Sequence, residues 1–435
     1  MIDPSYYHLK ASDAPSRPPL TGRHETATAI VGGGLAGIST ALFLAERGSA
    51  AVVLEAQSVG AGASGRNGGM VSMGFAAPKR EIEARAGQVA ASALLQLSRE
   101  ALSLIKDRIA RYAVDCDPVE GVVIASWFDE ARALQAEVER LNARYGTKMV
   151  FWPRERLQAA YPSPRYWCGI FDPEGFHLDP LALVRGYAGA AEGLGTVIHE
   201  ESPVLGLERE GARWCVRTAL GSLRAERVVL CQSAYPPAVL PAVARATLPV
   251  FTYVIVTEPL VGRHAGVIRA PYAVYDTRFA TGYYRLLRCG RLLWGGRISV
   301  EEYPRDLAGL MRRDLAQVYP QLADVRVEHA WSGRMGFTRH RMPLIRELAP
   351  GLWVNTGFGG HGLNTAVLGG DLVAAALTEG DERYRLFEPF APRWVGGPFG
   401  RLAAQAIYWG RGAGDGLRAG WQRWRGGGEE RRRRA

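Results

Sequence analysis

The chain has 435 residues, of which 47% are hydrophobic and 22% are charged, and its formal net charge at pH 7 is +10. This is the composition of a globular protein, and the length predicts roughly two to three domains. No run of about 18 apolar residues is present, which argues against a membrane-spanning helix. The chain starts with a polar, proline-rich segment, so we also expect no signal peptide.

The five cysteines are far apart in the sequence and form no C-x-x-C pair. In a chain of this size, that pattern predicts reduced thiols and a cytoplasmic location. Four of the excess positive charges lie in the terminal run Arg431 to Arg434, which is typical of a solvated, disordered tail. We expect this tail to bind no nucleic acid, and we regard a membrane contact by the tail as the less favoured alternative.

A glycine cluster follows an apolar run near the start of the chain, after residues 1–25, which we interpret as an N-terminal arm. Gly32, Gly34 and Gly37 have the spacing G-x-G-x-x-G; an apolar helical pattern follows, and a second apolar run ends at Glu55. The glycines permit a tight turn, the approach of a pyrophosphate and close packing of helix on strand, while Glu55 is placed to hold a ribose 2′-hydroxyl. The segment therefore predicts a dinucleotide site at the helix N-terminus.

A second glycine cluster occupies residues 60–69, and strand patterns return later in the chain. They lie near residues 204–231 and, with a helical pattern behind them, near residues 353–378. We therefore expect the chain to enter the nucleotide-binding sheet three times. Such a discontinuous domain argues against a contiguous NAD-binding half and favours FAD, which extends across the whole domain.

We predict an α/β fold with a Rossmann-like FAD-binding domain of the GR2 type and a substrate domain built on a discontinuous antiparallel sheet. The predicted boundaries are residues 26–75, 171–234 and 331–390 for the FAD-binding domain, and residues 76–170 and 235–330 for the substrate domain. Residues 391–435 form a C-terminal extension that includes the basic tail. Within it, Leu402 to Trp409 has the pattern of an apolar-faced helix, which we expect to pack on the body of the protein.

Five stretches resemble the FAD-dependent amine and amino-acid oxidoreductases of the D-amino-acid oxidase type, the DAO family. They are AIVGGGLAGISTALFLAERG, GASGRNGG, WSGRMGFTRHRMPLI, NTGFGGHGLNTAVLGG and PFGRLAAQAIYWG. The resemblance covers about residues 26–410 and is greatest to the γ-glutamylputrescine oxidase branch. The first stretch is shared by many flavoproteins, whereas the combination of the second and fourth is more specific.

The resemblance implies that FAD binds without a covalent bond, since relatives with covalent flavin use a late cysteine and none follows Cys289 here. It assigns the pyrophosphate to the first glycine cluster, the ribose to Glu55, the adenine to the backbone of Val204, and the pyrimidine edge of the flavin to the start of a late helix. The residues implied to bind FAD are Gly32, Gly34, Leu35, Ala36, Gly37, Glu55, Ala56, Ser64, Gly65, Arg66, Asn67, Gly68, Gly69, Val204, Gly333, Gly359, Gly360, His361, Gly362 and Leu363.

The resemblance also implies a reaction, the oxidation of a C–N bond in an amine or amino acid. The α-hydrogen passes to flavin N5 as a hydride, the imine is hydrolysed, and oxygen is reduced to hydrogen peroxide. The eight histidines show no metal-ligand spacing such as H-E-x-x-H, so we predict no metal site. Two alternatives remain open: a dehydrogenase of the same fold that reduces a quinone at a membrane surface, and a non-catalytic flavoprotein subunit.

Three polar residues are candidates for roles at the flavin ring or the substrate. We expect His361 to stabilise charge near the ring or to activate oxygen, and Arg66 to be a cation beside the flavin. By the resemblance, Arg334 lies in a region where some relatives hold a substrate carboxylate with an arginine, and a fork-shaped guanidinium is suited to that task. The alternatives are a structural histidine for His361 and a phosphate or surface partner for Arg66.

Tyrosines in the predicted substrate sheet are the remaining candidates. Tyr253 and Tyr283 are suited to lining an amine pocket, because aromatic faces attract cations. Side chains alternate along a strand, so Tyr283 and Tyr284 face opposite sides and at most one of them faces the flavin. Core packing is the alternative for each of these tyrosines.

Overall fold

A computed structural model of the protein describes residues 4–11, 15–235, 239–279 and 281–434, without the side chains of residues 423–434. Two sheets make up its framework, and their strands are numbered together in chain order. Parts of the predicted N-terminal arm, residues 1–3 and 12–14, lie outside the described residues, as do the side chains of Arg431 to Arg434.

The first sheet has eight strands in the order β16-β17-β10-β1-β2-β7, with the hairpin β8-β9 attached to β10. Its central pairs are parallel, and β16 and the hairpin are antiparallel additions. The strands are β1 (Gly22–Val31), β2 (Val52–Leu54), β7 (Val197–His199), β8 (Gly206–Glu210), β9 (Arg213–Arg217), β10 (Gly221–Leu230), β16 (Leu344–Ala349) and β17 (Leu352–Thr356).

The second sheet has nine strands in the order β15-β11-β14-β13-β12-β4-β6-β3, with β5 attached to β6. All its pairs are antiparallel except β12 with β4. The strands are β3 (Met70–Val71), β4 (Val119–Ser126), β5 (Val150–Trp152), β6 (Cys168–His177), β11 (Leu248–Pro259), β12 (Ala273–Asp276), β13 (Tyr283–Leu286), β14 (Arg291–Ser299) and β15 (Val327–Phe337).

Ten α-helices occur among the described residues. None of these helices combines the length and the apolar character needed to cross a bilayer. They are α1 (Tyr6–Lys10), α2 (Leu35–Glu46), α3 (Lys79–Arg111), α4 (Ala131–Tyr145), α5 (Arg154–Ala160), α6 (Pro180–Gly193), α7 (Pro241–Ala246), α8 (Leu307–Val318), α9 (Gly362–Glu379) and α10 (Gly397–Arg434).

Helices α2 and α9 form the centre of the largest apolar core. Residues 35–45 of α2 are all buried, which is why its sequence is apolar on every side. Gly370 of α9 permits the close contact, because a Cβ there would lie 2.8 Å from the backbone nitrogen of Thr40 in α2. The N-termini of both helices are thereby fixed at the same edge of the first sheet, beside the ends of β1 and β17.

The two sheets confirm the predicted α/β class, and the chain enters the first sheet three times along its length. The domain boundaries stay a prediction. Two details differ from the sequence analysis. Strand β1 begins at Gly22, inside the predicted arm, and α10 continues to Arg434 where we expected a disordered tail. Arginine and glutamate are good helix formers and no proline follows Pro398, so a helical backbone is permitted there.

Candidate active site

A cavity of about 400 Å³ extends from the edge of the first sheet to the face of the second. Val31, Leu54 and Cys231 line it where β1, β2 and β10 end, and the first residues of α2 and α9 line it as well. Ligands of parallel α/β sheets bind at this edge, outside the carboxyl ends of the strands. We call this part the inner end of the cavity, and the part lined by the second sheet the outer end.

The first glycine cluster forms the turn between β1 and α2 at the inner end. Gly32 has φ of +109°, a conformation that side chains other than hydrogen rarely permit, and a Cβ there would lie 3.1 Å from the carbonyl carbon of Cys231. A Cβ on Gly37 would overlap the carbonyl oxygen of Gly32. The turn therefore presents bare backbone and the N-terminus of α2, as a phosphate site requires.

Glu55 lies beside this turn at the end of β2. Its carboxylate accepts hydrogen bonds from the backbone N–H groups of Gly33 (2.5 Å) and Gln57 (2.9 Å). Burial is the main cause that raises the pKa of the Glu55 carboxyl above its ordinary value, and the negative charge of Glu200 adds to it. The side chain lines the cavity in a fixed orientation, so its carboxylate can accept a hydrogen bond from a hydroxyl group there.

The second glycine cluster is a tight loop whose own side chains hold it. The amide nitrogen of Asn67 donates to the carbonyl oxygens of Ala63 (3.0 Å) and Ser64 (3.1 Å), while its oxygen accepts from Gly69 N–H (2.8 Å). Arg66 donates through Nε to the carbonyl oxygen of Ser332 at 2.9 Å, which joins the loop to β15. The loop thus lies between the two sheets and lines the cavity between its inner and outer ends.

The N-terminal helix α1 and Arg285 hold this loop from behind. Ser5 Oγ donates to the carbonyl oxygen of Gly65 (2.8 Å), and the Tyr7 hydroxyl donates to that of Asn67 (3.1 Å). The buried guanidinium of Arg285, on β13, donates to the carbonyl oxygen of Gly68 (2.8 Å) and to the Tyr7 hydroxyl (3.0 Å). The sequence analysis missed these residues, because no local pattern connects them with the loop.

The glycine-rich turn before α9 forms another part of the cavity wall. Gly359 has φ of +60°, and a Cβ there would lie 2.8 Å from Ala76. His361 occupies the N-cap position of α9 and lines the cavity. Burial lowers the pKa of its imidazole to about 4, so the ring is neutral at physiological pH. The N-terminus of this 18-residue helix directs its partial positive charge at the cavity.

The outer end is lined by side chains from the second sheet and its loops. The ring of Tyr283 lies against Gly68, where a Cβ would be 2.7 Å from the ring. Burial raises the pKa of the Tyr283 hydroxyl to about 12. Arg297 forms a two-pronged ion pair with Asp314, with N–O distances of 2.5 and 2.8 Å. The outer end is therefore lined by the aromatic ring of Tyr283, and the positive charge of Arg297 there is already paired with Asp314.

The structure brings most of the predicted residues together. Of the residues predicted to bind FAD, all line the cavity except Gly37, Gly65 and Gly69, which instead allow the backbone to pack closely. His361, Arg66 and Tyr283 also line it. Residues that line the cavity and that the sequence analysis missed include Gln57, Met70, Ser72, Gln232, Ser233, Tyr235, Thr252, Tyr275, Phe279, Thr281, Arg297, Ile298, Met335 and Asn364.

Arg334 requires a correction, because the structure does not place it in the cavity. Its guanidinium pairs with Glu302 at 3.1 Å and lies 5.3 Å from the centres of the Tyr235 and Phe251 rings. Side chains alternate along β15, so Gly333 and Met335 line the cavity instead.

Tyr253 is a second correction, and the reason is again strand alternation. On β11 it is the preceding residue, Thr252, that lines the cavity. Tyr253 is buried in the core behind the second sheet, and its hydroxyl donates to the carbonyl oxygen of Glu301 at 2.6 Å. The core-packing alternative therefore describes Tyr253.

The cavity fits FAD. Two glycine turns leave room that a Cβ would occupy, and the N-termini of α2 and α9 point at the cavity. The fixed carboxylate of Glu55 lies where a ribose hydroxyl is expected. The long path between the ends suits a dinucleotide better than a mononucleotide. Among the described residues, no group of three or more His, Cys, Asp or Glu side chains has the arrangement of a metal site.

Comparison with protein families and sequences agrees with this geometry. The family model described as FAD dependent oxidoreductase (DAO) matches residues 27–376. The chain is 34% identical to γ-glutamylputrescine oxidoreductase of Escherichia coli, over 88% of this chain and 91% of that protein. It is 33% identical to the probable oxidoreductase OrdL of Haemophilus influenzae, over 88% of this chain and 90% of that protein.

Solved structures show the same fold. Glycine oxidase from Bacillus cereus superimposes with a TM-score of 0.69 and 21% identity, over 84% of this chain and 98% of that one. L-proline dehydrogenase from P. horikoshii superimposes with a TM-score of 0.70 and 19% identity, over 85% of this chain and 100% of that one. These similarities confirm the predicted fold, with its Rossmann-like domain.

Proposed function

We propose that this chain, which belongs to the DAO family of FAD-dependent oxidoreductases, oxidises the C–N bond of an amine or amino acid. The observation that carries the proposal is the single cavity, which joins a dinucleotide site at its inner end to an aromatic pocket at its outer end. The relative named γ-glutamylputrescine oxidoreductase supports an extended amine of that kind as the substrate.

FAD is the cofactor of this family, and when bound it supplies the acceptor atom, N5, for a hydride from the carbon next to nitrogen. In our proposal the turn at Gly32–Gly37 and the N-terminus of α2 hold the pyrophosphate, and Glu55 holds the ribose. The backbone of Val204 meets the adenine. The N-terminus of α9 and the Arg66 guanidinium lie on the flavin side, where they stabilise negative charge.

We propose that the cofactor binds without a covalent bond. Cys231 lines the inner end of the cavity, but burial raises the pKa of its thiol to about 12, so it is protonated and a poor nucleophile. No cysteine follows Cys289 in the sequence. The five free cysteines also support the proposed cytoplasmic location.

At the outer end, the protein orients the amine and favours its neutral form. Tyr275, Phe279 and Tyr283 surround the space with aromatic rings, and an environment of low polarity disfavours an ammonium ion relative to the amine. A neutral amine gives up a hydride without prior proton transfer. His361, itself neutral, is then a hydrogen-bonding partner in our proposal and not a strong base.

The proposal is tested by mixing the purified flavoprotein, without oxygen, with a panel of amines and amino acids that includes γ-glutamylputrescine. We expect at least one of them to bleach the visible absorbance of the flavin. Failure of every compound would contradict the proposed oxidation and would favour a non-catalytic flavoprotein. The loss of absorbance reports reduction of the flavin by the substrate. It requires no assumption about the electron acceptor, which a separate experiment identifies.

Oxygen is the acceptor we propose first, with hydrogen peroxide as the product. A quinone is the second candidate, and a specific observation favours it: α10 exposes an apolar face close to the outer end of the cavity. Admitting air to the bleached enzyme separates the two. Rapid return of colour with release of peroxide supports an oxidase, whereas slow return in air and fast return with a soluble quinone supports a dehydrogenase.

A further inference from the structure

The C-terminal helix α10 packs on the body through a side that makes polar contacts and includes the buried Ala419. Gln405 accepts a hydrogen bond from the backbone N–H of Val300 at 3.0 Å, and Asp415 accepts one from Phe279 N–H at 2.9 Å. Further along, Arg418 pairs with Glu130 at 2.8 Å. We expected the helix over Leu402 to Trp409 to pack on the body, and α10 does pack against β11 and β14, although Leu402 and Trp409 themselves are exposed. Local periodicity defines the two faces of a helix but not which of them meets the protein.

The apolar side of α10 therefore faces away from the body. Successive residues of an α-helix are about 100° apart, so the ten positions 399, 402, 403, 406, 407, 409, 410, 413, 414 and 417 share one side. Between positions 399 and 417, all of which the structure describes, no charged residue falls on this side. The exposed fractions reach 79% for Phe399, 66% for Leu402, 67% for Trp409 and 77% for Leu417. We call this side the outer face of α10.

An apolar surface of this kind is unusual on a water-soluble chain, since large contiguous patches mark sites of interaction. The outer face is continuous over five turns, and Trp394, three residues before the helix, is also exposed, with an exposed fraction of 62%. Glycines at positions 410, 412, 414, 416 and 420 weaken the intrinsic stability of the helix in water. A partner that covers the outer face would stabilise the helix.

We infer that the outer face of α10 docks on the surface of a bilayer that contains anionic lipids. Charge decides between this occupant and a second copy of the chain. From position 397 to the end, the sequence contains nine arginines against three acidic residues, and the chain as a whole carries a net charge of +10. Two such helices would repel each other, whereas anionic headgroups would attract them.

The residue types of the segment agree with that occupant. Helices that lie in the interface combine an apolar face rich in Trp, Phe and Leu with cationic residues beside it. Trp394, Trp409, Trp421 and Trp424 occur within 31 positions, and tryptophan is enriched where a bilayer meets water. Arg411 and Arg418 lie beside the outer face but contact the body, Arg411 over the Phe279 ring and Arg418 at Glu130. In our proposal the arginines that attract the headgroups are therefore those that follow position 422 in the sequence.

Docking would bring the bilayer close to the outer end of the cavity. Side chains of α10 accept hydrogen bonds from the backbone of Phe279, which lines that end, and of Val300, two residues after the lining residue Ile298. The outer face is thus separated from the cavity wall by about the diameter of one helix, roughly 10 Å. This placement would give an apolar electron acceptor in the membrane a short route to the outer end of the cavity. The docking itself does not depend on the proposed reaction.

The inference is tested by flotation of the purified holoenzyme with vesicles of phosphatidylcholine alone and of equal parts phosphatidylcholine and phosphatidylglycerol. We expect binding to the mixed vesicles that weakens at high salt, and at least about tenfold weaker binding to the neutral ones. The double variant Leu402→Glu, Leu417→Glu should lower the affinity for mixed vesicles at least about tenfold. The matched control is Leu205→Glu, Leu220→Glu, which also adds two negative charges at exposed leucines, with exposed fractions of 60% and 62%, in the first sheet's region of the chain and not in α10.

Three outcomes would overturn the inference. In the first, the wild-type chain does not bind the mixed vesicles, and in the second, the double variant floats as the wild type does. In the third, the wild type is a dimer, the double variant is a monomer, and neither binds lipid. Unchanged flavin absorbance and circular dichroism of both variants would show that they are folded. Because flotation needs no substrate, failure of the proposed oxidation would leave this result interpretable.

Discussion

The two ends of the cavity are built in different ways. At the inner end the wall includes the glycine turn between β1 and α2, the carboxylate of Glu55 and the start of α9. At the outer end the wall is mostly side chains, and they come from β11, β12, β13, β14 and β15. In our proposal the cofactor common to the family is therefore held largely by the geometry of these turns, while the part that meets the substrate depends on side chains that distant strands bring together.

The largest effect is expected at the inner end, from Gly37→Ala. The new Cβ would overlap the carbonyl oxygen of Gly32, so α2 must move away from the turn and the phosphate site opens. We expect a loss of FAD affinity of about a hundredfold or more, measured by flavin absorbance and by titration of the apoprotein. The matched control is Gly189→Ala in α6, where a Cβ would have open space, and it should bind FAD normally.

The next largest effect is expected between the two ends, from Arg285→Leu. Its guanidinium connects β13 with the loop carbonyl of Gly68 and with Tyr7, and its loss leaves buried polar groups without a partner. We expect the free energy of unfolding to fall by about 3 kcal/mol and FAD affinity by about tenfold. Arg288→Leu serves as the control, because that side chain lies three residues along the chain and is exposed. Equal effects of the two substitutions would contradict a specific role for Arg285.

A pH effect of intermediate size is expected from His177, a buried histidine that contacts Arg285. Burial, with the charge of Arg285, lowers the pKa of His177 to about 4, below the ordinary value of about 6.5. Between these two values the unfolded chain binds more protons than the folded one, so stability falls as the pH falls. On lowering the pH from 7 to 5, His177 should therefore lower the free energy of unfolding by about 2 kcal/mol.

Denaturant unfolding at pH 7 and pH 5 measures this effect. His177→Gln should retain a hydrogen-bonding side chain but remove the titration, so its pH dependence should be weaker than that of the wild type. His340 is buried with a pKa lowered to about 4 as well, so part of the pH dependence should remain in the variant. A variant with an unchanged slope would show that His177 titrates normally in the folded protein.

The smallest effect is expected from Arg334→Met, which tests the corrected assignment at the outer end. Arg334 faces Glu302 and not the cavity, so the KM for an amine substrate should change by less than about threefold. Met335→Lys, one position further, adds a charge to the apolar cavity wall and should raise the KM for the amine substrate at least about tenfold. A large loss in Arg334→Met with little change in Met335→Lys would reverse our assignment.

The same contrast explains what could be predicted from the sequence. The inner end is local, because strand, glycine turn, helix and acid follow one another within 29 residues, from Ala27 to Glu55, and each residue type has a geometric reason. The residues predicted there line the cavity or allow its backbone to pack. The fold class was likewise predictable, because helix and strand periodicities alternate along the chain.

The outer end could not be predicted in the same way. Tyr275, Phe279 and Arg297 are brought together by pairings between strands, and a pairing register is not contained in any one segment. A one-residue difference decides whether Arg334 or Met335 faces the cavity. The polar contact of α10 with the body was missed for a related reason: amphipathicity identifies an apolar face but does not identify what covers it.

The rate of flavin reduction by γ-glutamylputrescine, measured without oxygen in the wild type and in Phe279→Ala, tests most directly whether both ends of the cavity serve one reaction. We predict reduction of the wild-type flavin at a rate that saturates with amine. For Phe279→Ala we predict that a higher amine concentration is needed for half of the maximal reduction rate. The flavin spectrum before mixing should be unchanged, because Phe279 lines only the outer end. A wild-type flavin that no amine of the panel reduces, or a variant with unchanged reduction kinetics, would contradict this prediction.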